Sequence, residues 1–380
     1  MAKQKCDVPV LMVGESFHNA DMYYASRFLA PDSFAYVCAN DKEYIIVSPM
    51  EYGRAEKESR VRNVISRDKY GYTDMIRKLK REDLATADML AAFLAEIKAG
   101  SVMVPESFPL GVADRLRSKG VEATAAPLDI EERRMIKSPE EIEKIREVQW
   151  VNEKAMARAV DIIRKSKVKS GILQYHDKPL TSEKLHREID LVFTKNGCEA
   201  TDTIASSGPR SADPHFAGAG PVPAGQLIVL DLFPRSKANR YCADMTRTVV
   251  KGKPTKEMKE MYKLVLDAQE KALKAICAGV TGKSVDDVVC DLFEKHGFGT
   301  PRTKSKTGYV HSLGHGLGLE VHEQPRLSQT DERKLEPGMV VTVEPGLYDP
   351  EVGGVRIEDL VVVTKKGCEN LTKFPKELII

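Results

Sequence analysis

Four carboxylates interrupt four apolar runs of this chain, and an ordinary protein core does not tolerate that. Asp231 sits within Leu227–Phe233, Asp244 within Tyr241–Thr248, Glu344 within Val340–Gly346 and Glu358 within Val355–Asp359. The acids repeat: 344 − 231 = 113 and 358 − 244 = 114, so each has a counterpart at nearly the same offset in the other half of the segment. Desolvating four bare anions costs several kcal/mol per ion. Divalent cations would neutralise them, and four carboxylates can hold two such ions, with some oxygens bridging both. One acid in an apolar strand is more often at an edge or paired with Arg or Lys. Four at a repeated spacing predict convergence on one site.

The flanking pattern repeats too. Ser138 as N-cap, Pro139 in the first turn and Glu141 completing a capping box predict a long helix over about 138–165. A shorter helix over about 181–196, closed by Gly197, and a strand pair, Gln226–Phe233 and Tyr241–Val250, follow. The order then recurs: a long helix over about 255–278, a shorter one over about 284–296 closed by Gly297, and the strand pair Met339–Tyr348 and Gly354–Thr364. Identity between the halves is negligible, so the repeat is one of pattern. It predicts two similar hairpins about a pseudo-two-fold axis.

Upstream, short apolar runs alternate with amphipathic stretches. Val8–Val13 reads as a buried strand, and Phe34–Ala39 with Glu43–Val47 as a hairpin around Asn40-Asp41. Asp88–Lys98 and Leu110–Lys119 read as helices, Val102–Pro105 as a strand. The charged run near Ile130–Lys137 marks a boundary, giving domains 1–130 and 131–380 and an α+β fold class. A chain of 380 residues is comfortable for two domains. Its 58 basic and 56 acidic residues leave a net charge of only +2, which favours neither nucleic acid nor an anionic membrane. No apolar run approaches the roughly 20 residues of a membrane span, and the first lacks a signal-peptide cleavage site. Seven scattered cysteines without C-x-x-C read as free thiols in a reducing cytoplasm.

A histidine motif completes the constellation: His311-Ser312-Leu313-Gly314-His315-Gly316-Leu317-Gly318, then His322-Glu323. Three glycines between 314 and 318 argue against a helix. They predict a backbone that approaches an ion or substrate closely. His215, in Asp213-Pro214-His215-Phe216, precedes Asp231 by 231 − 215 = 16 residues. Together these motifs resemble the pita-bread metallopeptidases, which include methionine aminopeptidase, aminopeptidase P and prolidase.

The resemblance covers about residues 130–380. It implies a creatinase-like N-terminal α/β domain followed by a pseudo-two-fold pita-bread catalytic domain. It implies Asp231, Asp244, His315, Glu344 and Glu358 as ligands of two divalent metal ions, with Asp244 and Glu358 bridging. The oxygen-rich donor set suits manganese and also admits cobalt, iron or zinc. The implied reaction is hydrolysis of the Xaa-Pro bond of dipeptides by a hydroxide held between the metals. Glu344 would shuttle the proton, His322 would bond the carbonyl oxygen or oxyanion, and His215 would position the scissile bond. His311 and Arg356 would stand beside the substrate, and Arg326, in His322-Glu323-Gln324-Pro325-Arg326, would hold the dipeptide's carboxylate. Aminopeptidase P, which takes longer peptides, shares every metal ligand. Creatinase shares the fold without the ligands, and a non-catalytic binding module would be expected to lose them. The implied partners are a short proline-containing peptide and, as a homodimer, a second copy of the chain. Two departures stand out. Asp231 and Asp244 are 244 − 231 = 13 apart where about 11 is usual, a two-residue insertion that keeps strand parity. Arg210 stands where many relatives carry Asn.

Overall fold

The computed structural model describes residues 8–200 and 202–380, and the chain divides after Arg134 into two compact units. Cys6 lies outside the described residues.

The first unit is built on one mixed sheet of six strands: β1 (Val10–Gly14), β2 (Phe34–Ala39), β3 (Lys42–Val47), β4 (Asn63–Ser66), β5 (Ser101–Val104) and β6 (Glu122–Ala125). Their order is β4-β3-β2-β1-β5-β6. Asn40 and Asp41 both adopt positive φ and turn the β2–β3 hairpin, as the two-residue loop predicts. Leu11, Val37, Ile46 and Val102 bury one face against Leu90, Phe93 and Leu94 of the helix Glu82–Glu96. That helix starts at Glu82 rather than Asp88, because Glu82 and Asp83 complement the N-terminal end of its dipole. The thiol expectation needs one correction. Five cysteines (198, 242, 277, 290 and 368) are free, whereas Cys38, fully buried on β2, is disulfide-bonded. Spacing along a sequence does not reveal such a pairing.

In the second unit the helix–helix–strand-pair pattern occurs twice. The helices are α1 (Pro139–Lys165), α2 (Ser182–Lys195), α3 (Lys256–Ala275) and α4 (Gly282–Lys295). Ser138 and Glu141 close the capping box at α1, and Thr181, Thr255 and Thr281 cap the other three. The first half contributes a three-stranded sheet of β7 (Ile204–Ser207), β8 (Ile228–Leu232) and β9 (Met245–Val249). The second contributes β10 (Gly314–Gly316), β11 (Glu323–Leu327), β12 (Val340–Val343), β13 (Gly346–Asp349), β14 (Gly353–Arg356), β15 (Asp359–Thr364) and β16 (Gly367–Asn370). Two hydrophobic clusters match the halves. Ala155, Met156, Ile189 and Phe193 of α1 and α2 pack with Ile228, Leu230 and Val249. Val265, Ala268, Val289 and Phe293 of α3 and α4 pack with Val341, Val343, Val355 and Val361.

The second hairpin is not continuous. Val343 pairs with Asp359 and Gly346 with Arg356, so Glu344 and Glu358 face each other in the gap between two ladder segments. Pro345 has no N–H to give the ladder there. The freed amides cross to other strands: Glu344 N–H donates to Leu313 O at 2.8 Å and Glu358 N–H to Thr246 O at 3.1 Å. Both ends of the unit are stitched into these hairpins. Ile136 bridges Met339, and Lys137 N–H donates to Gly338 O at 2.9 Å. At the other end Val250 N–H donates to Leu378 O, and Ile380 N–H donates to Val250 O.

Candidate metal centre

Strand register carries the acids to one face. In the first half Asp231 pairs with Thr246, Leu232 with Met245 and Arg235 with Cys242. On that count Asp244 stands across from position 233, two residues from Asp231 and on the same face. The residues added between the two Asp do not disturb this. They form the turn in which Arg235 and Arg240 both pair with Glu199.

The four acids and His315 meet at the bottom of a cavity of about 700 Å³. One ligating atom each from Asp244, His315 and Glu358 lie within 4.8 Å of one another. His315 Nε2 is 3.3 Å from Glu344 Oε1 and 3.7 Å from Asp244 Oδ2. Its Nδ1 lies 3.1 Å from Gly316 O, which makes Nδ1 the donor and leaves Nε2 with a lone pair for a metal. The histidine strand is pressed against its neighbours. A Cβ at Gly314 would stand 2.1 Å from Thr342 O, and one at Gly316 2.3 Å from Gln324 O. The close approach these glycines serve is therefore to adjacent backbone, not to an ion or substrate as expected.

The donor set fits divalent cations. Asp231 Oδ1, Asp244 Oδ1 and Glu358 Oε1 are buried and have no hydrogen-bond partner, and orphaned anionic oxygens of this kind are rare. Three further carboxylate oxygens are held by protein. Arg356 donates to Asp231 Oδ2 at 2.6 Å, Thr246 to Glu358 Oε2 at 2.8 Å and Thr342 to Glu344 Oε1 at 3.2 Å. Burial, then the charges of Asp231 and Glu344, pushes the Asp244 carboxyl well above the usual range. Burial, then Asp244, does the same to Glu358. Such groups stay ionised together only with cations among them. Burial also acts on Glu344, but where the His315 imidazole is protonated its hydrogen bond and charge outweigh burial and hold the carboxyl at about 2; a cation on Nε2 would take that place.

The cavity wall carries the other histidines. The His322 ring stands edge-on to His315, centroids 4.3 Å apart. Burial, then His315 and Arg326, lowers His322 to about 4, so it is neutral near pH 7. His215 lies on the loop after Gly208–Ala212 and lines the same cavity. Arg326 is the cross-strand partner of His315, which turns its side chain to the same wall; no ion pair engages its guanidinium among the described residues. His311 and Arg356 are already engaged. His311 Nδ1 is 2.7 Å from Ser312 O and Nε2 2.9 Å from Tyr348 Oη. Arg356 donates to Tyr348 Oη at 2.7 Å and to Thr246 Oγ1 at 3.2 Å, besides Asp231.

Sequence reasoning missed Tyr348, Thr246 and Thr342. Strand periodicity was the available signal: each lies an even number of positions from a candidate ligand, Tyr348 and Thr342 from Glu344, Thr246 from Asp244.

Comparison with known proteins identifies the family. Residues 143–365 match metallopeptidase family M24, and residues 1–148 match the creatinase/prolidase N-terminal domain. The chain belongs to metallopeptidase family M24, with the pita-bread catalytic fold. An Xaa-Pro dipeptidase of Pyrococcus horikoshii is 34% identical over 367 residues, 95% of this chain and 92% of the relative. The solved prolidase of the same organism superposes with a TM-score of 0.80 at 31% identity, covering 98% of this chain and 95% of that one. The solved X-Pro aminopeptidase of Thermotoga maritima gives 0.80 at 29% identity, covering 98% and 97%.

Proposed function

We propose that this chain is an Xaa-Pro dipeptidase whose site holds two divalent metal ions. The observation that carries the reading is the trio of orphaned carboxylate oxygens on Asp231, Asp244 and Glu358. They open onto a cavity that also presents His322 and the guanidinium of Arg326. The names of full-length relatives then select the bond cleaved.

Asp231, Asp244, His315, Glu344 and Glu358 would hold the ions, which supply an activated water and Lewis acidity toward the peptide carbonyl. Arg326 pairs with the free carboxylate of the dipeptide. His322, neutral, donates one N–H to the carbonyl oxygen as charge builds there. His215 orients the scissile bond from the opposing loop. Glu344, ionised at neutral pH, accepts a proton and returns it to the proline nitrogen, a tertiary amide nitrogen that departs only when protonated. We assign His311 and Arg356 to support, not to substrate contact, because their nitrogens are already bonded to Ser312, Tyr348, Thr246 and Asp231.

The oxygen-rich donor set favours manganese, and a homodimer follows from the family resemblance. A cytoplasmic location accords with the five free cysteines and not with the disulfide at Cys38; fractionation decides between them. The reading is tested by turnover of the Mn²⁺-loaded protein on an Xaa-Pro dipeptide and an Xaa-Pro-Xaa tripeptide, with a chelator control. Chelator-sensitive cleavage of the dipeptide is expected. Cleavage mainly of the tripeptide would make the protein an X-Pro aminopeptidase and remove the role given to Arg326. Cleavage of neither, with metal bound, would overturn the proline reading.

A further inference from the structure

A buried ion pair stands beside the metal-binding set without belonging to it. Lys137 Nζ lies 3.0 Å from Glu323 Oε2, with side chains only 2% and 5% exposed. Two charges this deep persist only where further hydrogen bonds complete their geometry. Glu323 Oε1 supplies them, accepting the N–H of Leu319 at 2.8 Å and of Glu320 at 3.1 Å. Those two amides belong to the short turn that ends in His322. The turn wraps closely around the carboxylate, and Gly318 permits it: a Cβ there would stand 2.7 Å from Glu323 Oε2. From the opposite side Cys242 N–H donates to Gly318 O at 2.7 Å. The turn therefore hangs between the segment that carries Asp244 and the Glu323 carboxylate.

Lys137 is fixed as firmly. Its own N–H is bound to Gly338 O at 2.9 Å and its neighbour Ile136 bridges Met339, just ahead of β12. The chain of contacts runs from β12 through Lys137 and Glu323 to the turn of His322, whose ring rests 4.3 Å from that of His315.

We propose that Lys137 and Glu323 are positioning residues for His322: together they hold the 318–322 turn so that the imidazole meets the substrate carbonyl beside the metals. This rests on the reading of His322 as the donor to that carbonyl. Glutamate is required because its two oxygens serve two sets of donors. A glutamine has one oxygen, which serves either the Leu319 and Glu320 amides or the Lys137 ammonium, but not both.

The test compares Glu323→Gln, Lys137→Met and the conservative Lys137→Arg, each alone and Glu323→Gln also in a His322→Asn background. The first measurement needs no substrate. In zinc-loaded, ring-¹³C-histidine protein, the His322 signal, assigned by its loss in His322→Asn, should shift or broaden in Glu323→Gln and Lys137→Met. The signals of His186 and His296 should stay in place, and metal content should match the wild type. The second uses whichever peptide the wild type cleaves. Displacement of the imidazole should lower kcat about 10- to 100-fold, with KM changed less than about twofold. Lys137→Arg should recover most of kcat, and Glu323→Gln should add little to the defect of His322→Asn. An unmoved His322 signal, an unchanged kcat, or a full multiplicative loss in the His322→Asn background would overturn the proposal. A wild type inert on Xaa-Pro peptides would count against the dipeptidase reading alone, since the histidine spectrum still decides the positioning.

Discussion

Replacing Arg247 by methionine tests how the metal centre is held from behind. All five N–H donors of this side chain are used: on Pro375 O, Thr246 O, Glu358 O, Phe374 O and Asp359 Oδ1, at 2.6–3.0 Å. Arg247 is 2% exposed and Asp359 not at all. Removing one member of such a pair typically costs about 3–5 kcal/mol. Here Asp359 retains Lys376 at 2.6 Å and Asn370 at 2.7 Å, which lowers the figure. Four carbonyls lose a donor, which raises it by about 1 kcal/mol or more for each that finds no water. We expect a net loss of about 3–4 kcal/mol. The unit after Arg134 runs from 135 to 380, and at about 2–4 °C per kcal/mol for a domain of this size the melting temperature should fall by about 6–16 °C. Differential scanning calorimetry on the metal-loaded protein measures this, and elemental analysis should show reduced occupancy, because the Glu358 carbonyl loses its anchor. Arg247→Lys should fall between, keeping the charge but at most three of the five bonds. A melting shift under about 2 °C for Arg247→Met would refute the reasoning, since the network would then contribute almost nothing.

Other outcomes follow from the same geometry. Asp244→Asn and Glu358→Gln should each lose bound metal, read by elemental analysis after dialysis, and with it all turnover. His322→Asn should retain metal and lose about 10²- to 10³-fold in kcat. Arg326→Met should raise KM for the dipeptide about 10- to 100-fold, the scale of a charged hydrogen bond, while leaving tripeptide cleavage nearly unchanged. His322 is held near 4 in the folded chain against an ordinary 6.5. Between those values the unfolded chain binds a proton that the folded one does not. Stability drawn from this residue is thus complete above about pH 6.5 and falls as the pH drops toward 4. A His322→Asn variant should show a shallower loss across that window in urea titrations.

The convergence of the four acids and His315 was legible because chemistry and periodicity agreed. A carboxylate in an apolar strand violates burial, and four at matched offsets leave few explanations. The helices were legible through their caps, Ser138 with Glu141 and the threonines at 181, 255 and 281. What could not be read was the break in the second hairpin. Met339–Tyr348 looks like one strand, yet Pro345 and the Glu344–Glu358 opposition split it, and the freed amides bond to residues remote in sequence. The engagement of Arg356 was equally hidden. An arginine two residues before a ligand looks available to substrate until Asp231 is seen 2.6 Å away. The glycines of the histidine motif announced a close approach without saying to what, and the disulfide at Cys38 left no trace in spacing.

The stitching at both ends of the second unit bears on where the chain can be cut. The family match spans residues 143–365, a natural choice for an excised catalytic fragment. A fragment begun at 143 discards the Ser138 cap and the Lys137 partner of Glu323. One ended at 365 discards Phe374 and Pro375, which receive Arg247, and Lys376, which pairs with Asp359. Such a piece would keep every proposed metal ligand and lose the frame that aims them. A fragment that keeps this frame begins at or before Met135, itself part of the buried core, and extends through Ile380.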